Sequence, residues 1–348
     1  METSTLPVLR PLRLGELLDQ AIRLYRRNFL TFVGIIALVY IPYVLLQTIS
    51  STLYLNSLQT LRNAREILTS PAYWLFLATF FIASVIYTVF VSGLGTAALT
   101  NAVAHAYLGQ KIGILDAYRK IGRSWIHLLL ALIVLGLLSL LSFLWTLIPV
   151  VGWFTGLGLM IFLGGMVAEL LPAVVIIEKS KGLAPISRAW NLARRRFWWL
   201  LGFSLIFVMF NLLIVTGPTL LVEALSNSLL GGRDVGNSAI ITTLLSNILG
   251  GLLRLFTLPI LTTAWTLVYF DLRVRTEGFD LALATLEPAE NMQVDISNLP
   301  IPAADEKWLT GADVSKFAVI SLTLFGIIAL ISGVLAAILV LARSAAVP

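Results

Sequence analysis

The sequence predicts an all-α polytopic transmembrane helix bundle, and three observations carry that expectation. Apolar residues fill 58% of the 348 positions and charged residues only 12%, against roughly 25% charged in an average soluble chain. Several apolar runs exceed the roughly 20 residues that a bilayer crossing requires. A short basic amphipathic stretch also stands directly ahead of the first, third and fifth of these runs. The mean hydropathy of +0.93 agrees with the first two observations.

The first of these stretches, about 14–29, reads LGELLDQAIRLYRRNF. Leu14, Leu17, Leu18, Ala21, Ile22, Tyr25 and Phe29 recur at the spacing of one helix face, while Glu16, Asp19, Arg23, Arg26 and Arg27 take the remainder. A helix with an apolar stripe and a basic face is expected to lie in the headgroup layer. Registering Ala21 on Ala117 and Ala189 yields two further copies, about 112–125 and 183–197. Leu18, Ile114 and Ile186 then correspond, as do Arg27, Arg123 and Arg195, and Phe29, Trp125 and Phe197. Any surface helix leading into a span would share the apolar face. The restriction of the unit to odd-numbered runs is what points to internal repetition: surface helix, span, hairpin, span, three times over.

The runs follow in order. The first span is about Phe29–Thr48 with Pro42 inside, and Leu58, Leu61, Ala64 and Leu68 suit a short amphipathic helix beyond it. The second, about Tyr73–Ala104, is long enough to tilt or to extend past the bilayer, and its Ser92, Gly93, Gly95, Ala97 and Ala98 permit close helix contact. The third, about Ile126–Leu147, turns at IPVVGW into the fourth, about Phe154–Ile177. The third amphipathic copy opens with Pro185, which suits a first helical turn. A fifth span, about Trp198–Leu221, leads through the Gly/Ser/Asn-rich stretch Ser226–Ser238 to an apolar run, Ala239–Phe270. That run exceeds one straight span, and Gly250-Gly251 is expected to divide it, leaving a true span of about Gly251–Phe270. Domain boundaries follow: 1–275 form a six-span membrane domain, 276–315 an acidic, mostly irregular linker, and 316–348 an appended seventh transmembrane helix, its apolar core about Phe317–Leu341. The linker holds Glu277, Asp280, Glu287, Glu290, Asp295, Asp305, Glu306 and Asp313 against Lys307. It offers a surface for a protein partner.

Charge placement sets the topology. With the amino terminus cytoplasmic, nineteen of the 24 basic residues fall inside, which favours seven spans and an external carboxyl terminus. Six spans with a peripheral last stretch is the alternative. The net charge of +6 therefore reads as membrane topology, with no nucleic-acid partner expected. The absence of cysteine from the sequence excludes disulfides and thiolate chemistry. No G-x-x-x-x-G-K-[ST], G-x-S-x-G or H-E-x-x-H pattern occurs, and the two histidines, His105 and His127, lie near span ends. No catalytic residue, metal or cofactor is expected, and the chain is not read as an enzyme.

Two charged residues lie within apolar runs. Glu169 sits about eight residues from the inner end of its span, roughly 12 Å deep, and Arg254 about 16 residues, roughly 24 Å. A charge at mid-span costs roughly 2.5–3.5 kcal/mol on insertion scales, so both are candidates for function. Glu169 is followed by Pro172, which frees backbone carbonyls beside it. A direct Glu169–Arg254 pair is not expected, given their difference in depth. Candidate headgroup contacts are Arg23, Arg26, Arg27, Arg119, Lys120, Arg123, Arg194, Arg195, Arg196 and Trp198, which set basic and aromatic side chains where anionic lipid would meet them.

RPLRLGELLDQAIRLYRRNF at 10–29, APISRAWNLARRRFWWLLG at 184–202 and LVYFDLRVRTEGFDL at 267–281 carry a further reading. Over about 10–282 the chain resembles the membrane domain of bacterial glycerophosphoryl diester phosphodiesterases and its stand-alone relatives. The resemblance implies a multi-pass protein of the bacterial cytoplasmic membrane. In the bifunctional relatives a separate soluble barrel, with histidines and metal-binding carboxylates, performs hydrolysis; no such barrel is present in this sequence. The expected function is accordingly a non-catalytic membrane protein that binds or organises anionic lipid, or scaffolds partners, at the cytoplasmic face. The alternative is a small-solute or lipid transporter with a pathway near Glu169.

Overall fold

The computed structural model describes residues 10–58, 70–230, 235–280 and 309–345, and among them every regular element is helical. Seven helical stretches are long and apolar enough to cross a membrane, so the chain is an all-α polytopic bundle. In chain order the elements are α1 (Leu14–Arg27), α2 (Phe29–Leu58), α3 (Pro71–Ile86), α4 (Thr96–Tyr107), α5 (Ile114–Ile121), α6 (Ser124–Trp145) and α7 (Val151–Phe162). There follow α8 (Ala168–Ile177), α9 (Ala184–Arg195), α10 (Phe197–Asn211), α11 (Gly217–Leu230), α12 (Val235–Glu277) and α13 (Gly311–Ala345). Three π-helical segments, Tyr87–Gly95, Leu163–Val167 and Leu212–Thr216, join α3 to α4, α7 to α8 and α10 to α11, making the second, fourth and fifth spans continuous.

The three amphipathic stretches form the short helices α1, α5 and α9, each entering an odd-numbered span within a few residues. The registered residues Ala21, Ala117 and Ala189 are all buried, at 1%, 0% and 0% exposure. The centre of each apolar stripe meets protein, while Ile22 and Phe29 of the first stay exposed. The α1 stripe of Leu17, Ala21 and Tyr25 packs along α12, because Leu12 N–H donates to Asp271 Oδ1 (2.8 Å) while Tyr25 Oη donates to the Phe256 carbonyl (3.1 Å). These two anchors make α1 antiparallel to the second half of α12. Helix α5 turns back on α4, with Asn101 Nδ2 reaching the Ala117 carbonyl at 3.3 Å. Its Tyr118 Oη donates to the Ile35 carbonyl (2.6 Å), and burial pushes that phenol up to about 12. Helix α9 returns along the fourth span, from Arg188 beside Glu178 to Trp190 edge-on to Phe162. Each short helix thus docks on the end of an even-numbered span, in cyclic order.

Exposure divides the even spans in two. Their exposed large apolar side chains stop at Phe90, Met160 and Phe256, and beyond those points everything of that kind is covered by protein. The main core lies among these covered ends and the three short helices, with Ala97–Ala98, Leu170–Leu171, Ala264 and Val268 at its centre. The second and sixth spans are long because one stretch faces lipid and the next faces protein.

Helix α12 is unbroken through Gly250 and Gly251, correcting the expected division there. The glycines serve packing instead: a Cβ on Gly251 would stand 2.8 Å from Val44 Cγ1 of α2. Gly251→Leu is therefore expected to lower stability by about 1–3 kcal/mol, and Val44→Ala in the same chain to restore part of it; paired thermal melts check both. Other bounds shift as well. Helix α2 runs on to Leu58, α11 and α12 extend into the Ser226–Ser238 connection, and the linker edges drawn at 276 and 315 fall inside α12 and α13. The amphipathic segment expected at Leu61, Ala64 and Leu68 and most of the acidic linker lie outside the described residues. The seventh span α13 packs on α7, where Gly158 N–H donates to Ser321 Oγ at 2.9 Å.

Candidate functional site

The basic residues near the short helices separate into two sets. Arg23, Arg26 and Arg27 close α1, and Arg119, Lys120 and Arg123 occupy the end of α5 and the residue before α6. All six are exposed and make no ion pair or side-chain hydrogen bond among the described residues. Their helix C-termini suit them, since the unpaired carbonyls there carry partial negative charge.

The second set is drawn inward. Glu178, Arg188, Tyr269, Arg273 and Glu277 form a buried ionic knot joining the ends of α8, α9 and α12. Arg188 holds Glu178 through two nitrogens (Nε 3.1 Å, Nη2 3.0 Å) and reaches Glu277 Oε2 at 2.8 Å. Arg273 donates to the same Glu277 oxygen at 3.0 Å, and Tyr269 Oη donates to Glu178 Oε1 at 2.8 Å. The Arg273 guanidinium lies 4.2 Å from the centre of the Phe279 ring. Burial works to lower the basicity of Arg188, but the hydrogen bonds it donates to Glu277 and Glu178 raise it. Two cations balance two carboxylates, the condition under which buried charge is tolerated. Beside the knot, Asp271 accepts from Arg275 Nε (2.9 Å) and pairs with Arg196 (3.4 Å), while Arg275 Nη2 donates to the Leu12 carbonyl (2.6 Å).

The third copy therefore differs from the other two. Arg194 pairs with Asp313 (3.6 Å), Arg196 pairs with Asp271 and lies over Trp199 (4.9 Å), and Arg195 is exposed, as is Trp198. Sequence reading grouped all nine basic residues together. The acids that set the third copy apart, Asp271 and Asp313, and the two carboxylates of the knot, Glu178 and Glu277, were not read as arginine partners. Their signal was the i, i+4 series Tyr269, Arg273, Glu277 interleaved with Asp271, Arg275 at the end of an apolar run.

The two charges within the spans line separate cavities and form no pair with one another. Arg254 borders a cavity of about 170 Å³ with Tyr87, Phe207, Phe210, Asn211, Thr257, Leu258 and Leu261. It lies within electrostatic range of the Tyr40, Tyr43 and Tyr87 hydroxyls. Glu169 borders a cavity of about 30 Å³ with Thr96, Thr100, Pro172, Ala173, Thr262, Trp265 and Thr266. No hydrogen bond or ion pair to its carboxylate is present among the described residues. His105 Nδ1 lies 2.8 Å from the Asn101 carbonyl, and His127 Nδ1 is buried without a partner among the described residues.

Comparison with protein-family models, with curated proteins and with solved structures returned no match to this chain.

Proposed function

We propose that this chain is a non-catalytic integral membrane protein that binds or organises anionic lipid, or scaffolds partners, at its basic end. The observation that carries the reading is the separation of cations. Arg23, Arg26, Arg27, Arg119, Lys120 and Arg123 stay exposed and unpaired among the described residues where the chain enters lipid-facing spans, while other arginines are drawn into internal pairs. Exposed apolar side chains of the spans begin directly after each group, at Phe29 and Ile126, so these cations stand at headgroup height. In this reading the membrane is the bacterial cytoplasmic one, with the amino terminus and the basic end on the cytoplasmic side. The three helix-plus-hairpin units are an internal repeat, and the relationship to the glycerophosphoryl diester phosphodiesterase membrane domain is one of architecture without the hydrolytic barrel. The acidic linker offers the surface for a protein partner.

Native mass spectrometry of the detergent-purified chain with phosphatidylglycerol and phosphatidylcholine tests the reading. Each cation near an anionic surface contributes about 1 kcal/mol, so Arg23→Gln/Arg26→Gln/Arg27→Gln is expected to weaken phosphatidylglycerol retention by about fivefold per charge removed. Equal retention of the two lipids, or a triple variant that binds as the parent does, would overturn it.

A further inference from the structure

We propose that the meeting point of the three even-numbered spans is a binding site for one hard monovalent cation of the sodium class, with Glu169 as its charged ligand. The proposal is independent of the lipid reading and rests on the interior of the bundle.

The cavity beside Glu169 is built by the second, fourth and sixth spans in the same way. Each contributes two lining residues one helical turn apart: Thr96 and Thr100, Glu169 and Ala173, Thr262 and Thr266. In each span an irregularity immediately precedes the pair. The π segment Tyr87–Gly95 ends at the residue before Thr96, the π segment Leu163–Val167 ends two before Glu169, and Pro259 stands three before Thr262. Such segments shift the backbone register and recur at ligand sites. Pro172, itself a lining residue, removes the N–H that the Ala168 carbonyl would otherwise accept.

The chemistry of the lining selects the occupant. Thr96 donates its hydroxyl proton to the Ser92 carbonyl, Thr262 donates to Leu258 (3.1 Å) and Thr266 donates to Thr262 (2.8 Å). Those three protons are spent, so the hydroxyls present only lone pairs to a further neighbour. Thr100 Oγ1 is fully buried and has no hydrogen-bond partner among the described residues. Glu169 adds two more acceptor oxygens, with no cation paired to them among the described residues. Glu169 is half-buried, and a carboxylate drawn partly out of water without a counter-charge is costly. A proton on Glu169 would relieve that charge but leave the hydroxyl lone pairs unanswered. An oxygen-rich shell is what hard cations require, a single carboxylate balances a single positive charge, and about 30 Å³ accommodates one occupant the size of a water molecule. Breaks in transmembrane helices that turn backbone carbonyls toward Na⁺ are a known solution to the same problem.

The test uses the full chain purified in detergent, with Na⁺ exchanged for choline at constant ionic strength. Thermal unfolding and equilibrium binding of radioactive Na⁺ are both read. A ligand that binds only the folded state raises the melting temperature with its concentration. The expected result is a saturable Na⁺-dependent rise and one bound Na⁺ per chain, with both lost in Glu169→Gln. Thr100→Val keeps the carboxylate but removes a hydroxyl ligand, so its half-saturating Na⁺ concentration should rise about tenfold; it also serves if Glu169→Gln does not fold. Indifference to Na⁺ in the parent, a response that follows pH alone, or unchanged Na⁺ binding in either variant would overturn the proposal.

Discussion

Arg273→Ala is expected to destabilise the protein by about 3–5 kcal/mol, the cost of leaving a buried charge without its partner. Arg273 is 1% exposed, bonded to Glu277 and Tyr269 and set against the Phe279 ring. Its removal leaves two buried carboxylates, Glu178 and Glu277, facing the single cation Arg188, and strips a donor from Tyr269 and the cover from the Phe279 ring. A charge-balanced replacement should be far milder. In Arg273→Met/Glu277→Leu one cation and one anion leave together, and Arg188 retains its two-nitrogen grip on Glu178. Thermal unfolding in detergent followed by tryptophan fluorescence distinguishes the cases, with the double variant melting above the single one. A single variant that melts with the parent would show that the knot contributes nothing to holding α8, α9 and α12 together.

The second large effect falls on Gly158, and its readout is the position of the seventh span. A Cβ at Gly158 would stand 2.6 Å from Phe317 Cα and overlap the Phe317 carbonyl oxygen. The obstacle is backbone, so no rotamer change relieves it, and α7 and α13 must separate. Gly158→Leu is expected to cost at least the 1–3 kcal/mol typical of overpacking, about the upper end of that range. It should also break the Gly158–Ser321 hydrogen bond. Because the sequence contains no cysteine, spin labels on Trp153→Cys and Phe325→Cys report on these two helices alone. Their parent rings lie 6.3 Å apart. A narrow distance distribution in the parent background should broaden and lengthen in Gly158→Leu, and an unchanged distribution would mean that α13 is held elsewhere. Lys316 near the Arg194 carbonyl and Arg194 near Asp313 are the contacts that would hold it.

How much could be read beforehand differs between the spans and the site. The seven spans and the three short helices were legible because composition and period are local properties. A run of apolar residues declares itself, and so does a stripe at Leu17, Ala21 and Tyr25. The Gly250-Gly251 break failed because a glycine pair that interrupts a helix looks identical in sequence to one that lets Val44 approach. Only the neighbour decides. The same holds for the arginines. Arg26 and Arg196 are both basic and both stand within three residues of the aromatic that opens a span. One is exposed and the other faces Asp271, some 75 residues further along the chain. Glu169 and its flanking Pro172 were conspicuous as a buried acid beside a helix irregularity. The four threonines that share its cavity come from two other spans, and no spacing rule links them to it.

By itself, the sequence determined that this protein is an all-helical membrane bundle and where its apolar runs fall. Helix period, apolar length and charge placement are set by residues close together in the chain. Tertiary structure alone decided which cations are free and which are locked to acids, and that the centre of the stripe on each short helix meets protein instead of lipid. It also decided that three even-numbered spans converge on Glu169. Those are matters of partnership, and the free energy of a buried charge, a glycine contact or an unspent hydroxyl depends on which distant residue packing brings to meet it.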